Sequence, residues 1–105
     1  MKKIKKVAES VTEDDILLLM LYLEQLKDLG FISGKSGITD DGVEKAIDLY
    51  NGGLRLSTEQ IIVILSSMIK NVTTKMVDLI YLIQSYGFKK FKDEHQNILD
   101  ELAKQ

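Results

Sequence analysis

The sequence predicts an all-α fold, a compact bundle of four to five helices, and three observations lead there. Proline is absent from all 105 residues, which removes the strongest helix breaker. Apolar residues recur at three- and four-residue steps, and most of the segments so marked begin at capping residues, three of them ending at glycines. The balance of 45% hydrophobic and 29% charged residues is that of a folded globular chain, at a length that suits one domain. The expected division is a basic N-terminal arm over 1–11, carrying Lys2, Lys3, Lys5 and Lys6, and a single helical domain over 12–105.

The first helix opens at Thr12, where a threonine cap and three acids, Glu13, Asp14 and Asp15, meet the free N–H groups and the positive end of the helix dipole. Ile16 to Leu23 is then apolar on every side, which predicts burial on every side and a place at the centre of the bundle. Leu26 and Leu29 continue its inner face, and Gly30 supplies the left-handed residue that ends such a helix. A second helix starts after the Thr39 cap with Asp40 and Asp41, carries the stripe Val43, Ala46, Ile47 and Tyr50, and stops at Asn51-Gly-Gly53.

Ser57 with Gln60 three residues later is a capping-box pattern that opens a third helix. The run Ile61 to Leu65 alone would suit a strand. The cap before it and Met68 and Ile69 after it, at helical spacing, decide for helix. A fourth begins at Thr73 or Asn71 and runs through Met76, Ile80 and Ile83, its apolar arc widened by Val77, Leu79, Leu82 and Tyr86, to end at Gly87. The last segment, from Phe88 or Asp93, keeps Phe91, Ile98, Leu99 and Leu102 at helical steps.

Composition also narrows the chemistry. Without cysteine there is no thiolate nucleophile and no cysteine ligand for zinc or an iron–sulfur cluster, and His95 is the only histidine. A formal charge of −2 disfavours general affinity for nucleic acid. The basic start turns polar and acidic without an apolar core, unlike a signal peptide. The longest apolar run, Ile16 to Leu23, is far short of the roughly 20 residues that span a bilayer. A cytoplasmic protein without a transmembrane segment is expected.

The stretch Leu29-Gly-Phe-Ile-Ser-Gly-Lys-Ser-Gly-Ile-Thr39 contains GKS, the end of a phosphate-binding loop. Three residues separate Gly30 from Gly34 where that loop needs four between its glycines, a helix precedes them where it needs a strand, and Gly37 and Thr39 delay the next helix. A second reading is the wing of a winged-helix regulator, with residues 14–50 as recognition helix, wing and dimerisation helix. The helix in question presents Glu24, Gln25, Lys27 and Asp28, net acidic where phosphates would lie. The third reading, a plain helix-to-helix connection with Lys35 in solvent, is the one adopted.

The pairs Asp14/Asp15 and Asp40/Asp41 fall in first turns, where capping accounts for them without acid–base work. His95 in its charged surroundings reads as a solvated residue, Asn71-Val-Thr73 as a turn and cap. Tyr22, Tyr50, Tyr81 and Tyr86 sit in apolar stripes, which predicts core packing. Lys89, Lys90 and Lys92 flank Phe91 as a solvated helix start that doubles as a candidate surface for an anionic partner. No catalytic, cofactor-binding or metal-ligating set is assigned, no cofactor is expected, and the candidate partner or phosphate contacts are Lys35, Lys89, Lys90 and Lys92.

Three stretches, "TEDDILLLMLYLEQLKDLG", "DDGVEKAIDLYNGG" and "LIQSYGFKKF", within residues 12–90, resemble a family of short uncharacterised helical proteins. Members accompany formate-dehydrogenase-like and heterodisulfide-reductase-like redox subunits, so the resemblance implies an accessory subunit. The residues themselves imply contact between proteins: the apolar arcs of the third and fourth helices exceed the ~100° stripe that one-sided packing needs. The expected function is a non-catalytic helical protein–protein interaction module, an accessory subunit of a larger assembly or a homodimer. The alternative is a winged-helix-type DNA-binding transcriptional regulator.

Overall fold

In the computed structural model, which describes residues 11–34 and 36–104, the chain forms five α-helices: α1 (Glu13–Asp28), α2 (Asp40–Asn51), α3 (Thr58–Met68), α4 (Thr74–Tyr86) and α5 (Phe88–Ala103). No strand occurs among the described residues. The N-terminal arm up to residue 10, and Lys35, lie outside them.

Each start follows its cap. Thr12 Oγ1 accepts from the Asp15 N–H (3.2 Å) while Asp15 Oδ2 accepts from the Thr12 N–H (3.0 Å), a reciprocal capping box. Ser57 and Gln60 form the same box at α3. The two boxes touch, since Gln60 Nε2 reaches Asp15 Oδ2 at 3.5 Å. That bond ties the N-terminal ends of α1 and α3 together and explains why Asp15 is buried. Thr39 caps α2 and Thr73 caps α4, which settles the choice between Thr73 and Asn71.

Two helices end in the same way. The Phe31 N–H bonds to the Leu26 carbonyl and the Gly30 N–H to that of Lys27, with Gly30 at φ +84°. Leu54 to Leu49 and Gly53 to Tyr50 repeat the pattern at the end of α2. Both are Schellman motifs, which satisfy the last carbonyls at the cost of a left-handed residue that glycine adopts freely.

α1 is the axis of the bundle and packs against α2, α3 and α4; α3 packs on α4, and α4 on α5. Leu18, Leu19, Tyr22 and Leu26 are wholly buried, joined in the core by Ile61, Leu65, Ile80, Ile83 and Phe91. The expected central place of the first helix is borne out except at its edge, where Ile16 is exposed. On α2 the stripe buries Ala46 but leaves Ile47 exposed, because that helix covers the bundle from one side. α5 starts at Phe88, the first of the two expected points, and kinks at Glu94 (φ −123°, ψ 16°), one residue past the second. Its two halves bury Phe91 and Ile98.

Candidate functional site

Only two polar side chains are buried among the described residues, Asp15 at its cap and Gln84 in α4. Gln84 organises the most elaborate polar cluster of the molecule. It follows Val77 and Ile80 at seven and four residues, so the helix turns it inward with them. Its Oε1 accepts from the Tyr22 hydroxyl (2.9 Å) and from the Leu56 N–H (2.7 Å), and its Nε2 donates to the Leu56 carbonyl (2.7 Å). One side-chain amide thus gives the buried backbone of Leu56 the pair of bonds that a neighbouring strand would otherwise supply.

Tyr50, the last aromatic of α2, donates its hydroxyl to the Gln84 backbone carbonyl at 2.7 Å. Phe88 completes the cluster, stacked on Tyr22 (centroids 5.4 Å apart) and edge-on to Tyr50 (5.1 Å). The Phe88 carbonyl accepts from Gln25 Nε2 at 3.1 Å, which fastens the start of α5 to α1. Burial pushes the Tyr22 phenol well above the usual tyrosine range; the nearby Tyr50 phenol adds to the shift and Arg55 opposes it.

Tyr50 divides two surface recesses. On one side, around the α4–α5 corner at Gly87, an open cleft is lined by Tyr86, Phe88, Lys89, Lys90, Asp93 and Glu94. Lys90 Nζ stands 5.4 Å from the Tyr86 ring centroid, within cation–π range. Two of the expected basic residues, Lys89 and Lys90, therefore share this cleft, but with two carboxylates beside them. Lys92 does not line it; it is exposed, and its backbone carbonyl meets His95 Nδ1 at 3.0 Å. Lys35 lies outside the described residues. On the other side of Tyr50, a recess between the start of α3 and the end of α4 is lined by Arg55, Ser57, Thr58, Tyr81 and Ser85.

Two expectations about rings are corrected. Tyr81 and Tyr86 are exposed, because α4 buries the side that carries Val77, Ile80 and Gln84 and turns these two away. His95 is half-buried, its ring 5.8 Å from that of Phe31 and 6.2 Å from that of Phe91, the buried residue one helical turn before it. The connection between α1 and α2 contains no paired strands in its described residues. It is held by the Ser36 hydroxyl, which donates to Glu24 at 2.7 Å, and by the Ile38 N–H, which donates to Ser36 Oγ at 3.3 Å.

Sequence reasoning passed over Gln84 and Arg55. The available signals were a glutamine at helical spacing inside an apolar stripe, and a single arginine among fourteen basic residues. Among the described residues, no three His, Cys, Asp or Glu side chains are grouped so as to hold a metal ion. No helix of the described chain is long and apolar enough to cross a membrane. No family model, no curated protein and no solved structure matches this chain.

Proposed function

We propose that the chain is a non-catalytic helical protein–protein interaction module whose docking face is the outward side of α3 and α4. One observation carries the reading. Ile62 on α3 and Tyr81 on α4 are 43% and 48% exposed, although the core beneath them is closed by Ile61, Leu65 and Ile80. Tyr81 shares a recess with Thr58, Thr58 stands one helical turn before Ile62, and α3 packs on α4, which supports reading the two side chains as parts of one face. Water contact with such side chains is unfavourable by ~25 cal/mol per Å2, which a partner's surface relieves.

The family resemblance supplies the partner class: a subunit of a larger redox assembly, in which this cysteine-free chain serves as an accessory rather than as a carrier of clusters. The test is the assembly mass of the full chain, measured by light scattering both after purification alone and after gentle isolation from its native host. The expected result is a stoichiometric complex with another subunit, lost in the Ile62→Glu variant at unchanged helix content. A second copy of the chain in place of that subunit would retain the module and remove the accessory role. A monomer under both conditions, or a complex indifferent to Ile62→Glu, would overturn the reading.

A further inference from the structure

Arg55 is the only arginine of a chain that otherwise uses lysine. The two differ in shape: a guanidinium presents a rigid planar fork, an ammonium a mobile point charge. Here the fork is held through three contacts, on one face and at one nitrogen. Its centre lies 3.8 Å over the Tyr50 ring, and Nη1 donates to the carbonyls of Tyr50 (2.9 Å) and Leu54 (2.8 Å). Nη1 is thereby spent. The opposite edge, Nε with Nη2, is the one that grips an oxyanion through two parallel bonds, and it has no acceptor among the described residues.

The recess that Arg55 lines also exposes the hydroxyls of Thr58, Tyr81 and Ser85, none of which bonds to a protein group among the described residues. No carboxylate lines it, in a chain with sixteen acidic residues against fourteen basic ones. The lysine cleft across Tyr50 contrasts with it, since Asp93 and Glu94 there compete for its cations. A positioned guanidinium edge and three hydroxyls offer five donors without a competing acid.

We infer that this recess binds a phosphate monoester. The guanidinium edge alone satisfies a carboxylate; the additional hydroxyls match the third oxygen that a phosphate group carries and a carboxylate lacks. Tyr50 and Gln84 form the rigid back of the site: the Tyr50 ring supports the guanidinium, and the Gln84 carbonyl holds the Tyr50 hydroxyl.

The experiment is an NMR titration of the nitrogen-15-labelled full chain with phenyl phosphate, inorganic phosphate and acetate at constant ionic strength. The expected result is a saturable shift of the Arg55 Nε–H and of the Thr58 and Ser85 amides with both phosphates and none with acetate. Arg55→Lys, which keeps the charge and loses the fork, weakens binding by roughly tenfold; Tyr81→Phe and Ser85→Ala each weaken it by a smaller factor. The absence of a saturable shift overturns the inference, as does equal binding of acetate or full affinity in a folded Arg55→Lys. Should Arg55→Lys fail to fold, wild-type affinity in the Tyr81→Phe, Ser85→Ala double variant overturns it instead. Tyr81→Phe keeps the ring on the docking face, so a phosphate effect is read separately from any loss of assembly.

Discussion

Tyr22 and Tyr50, from two different helices, meet edge to face at 6.5 Å and both donate their hydroxyls to the same residue, one to the Gln84 side chain and one to its backbone. Through that residue α1, α2, α4 and the segment before α3 are held as one unit. The cluster is therefore the place where small chemical changes are expected to register most sharply.

Gln84→Leu keeps the volume and removes the amide. It leaves the Tyr22 hydroxyl and both backbone groups of Leu56 buried without partners. A loss of roughly 3–5 kcal/mol of unfolding free energy is expected, measured by urea denaturation. Tyr22→Phe provides the contrast: Gln84 Oε1 keeps its bond from Leu56, nothing is orphaned, and the cost is only about 1 kcal/mol. Equal costs for the two variants would show that the amide does not organise the cluster.

Tyr22 also sets a pH dependence. Its folded pKa is raised above the unfolded value, chiefly by burial. Once pH exceeds the ordinary tyrosine pKa of about 10, the unfolded chain releases this proton while the folded chain retains it. The unfolded state then binds fewer protons, so stability falls as pH rises; below about pH 10 the contribution is fully present. Urea midpoints measured about one pH unit below and about one unit above the free phenol value are expected to differ more for the wild type than for Tyr22→Phe. A decline of equal size in both would assign the alkaline sensitivity to other groups.

Gly87 joins α4 to α5 with φ +94° and ψ 156°, a region that residues with a Cβ rarely enter. A Cβ placed there would meet Tyr50 Oη at 3.8 Å, an ordinary contact. The cost of Gly87→Ala is therefore backbone strain alone, about 1–3 kcal/mol. Thermal unfolding checks it. A cost near zero would mean that the corner relaxes without penalty.

Phe88 anchors α5 by its ring contacts with Tyr22 and Tyr50. Phe88→Ala is expected to cost about 2–4 kcal/mol and to raise amide hydrogen exchange in α5 before that in α1. Uniform loss of protection across both helices would show instead that α5 unfolds only with the whole bundle.

The helices were legible in the sequence because their signals are local. A cap such as Thr39 or Ser57 acts on an N–H three residues away, and a glycine such as Gly30 or Gly53 relieves strain at its own φ angle. The same reasoning misplaced Tyr81 and Tyr86, because an apolar arc wider than a helix buries does not say which of its flanks faces the core. It also misjudged His95, whose charged neighbours in sequence concealed the rings of Phe31 and Phe91 that it meets in the fold.

By itself, then, the sequence determined the helical class, the capped starts of α1, α2 and α3, the glycine ends of α1, α2 and α4 and the central place of α1, since these follow from side chains acting within a turn or two of themselves. Only the tertiary structure decided that Gln84 would serve as a partner for Leu56, and that Arg55 would lie over Tyr50 with one edge unengaged. The contacts of Gln84 with Tyr22 and Leu56 span 62 and 28 residues of chain. No local rule reaches that far: which polar group meets which is fixed by the packing of whole helices, and by the free energy lost whenever a buried donor or acceptor goes unpaired.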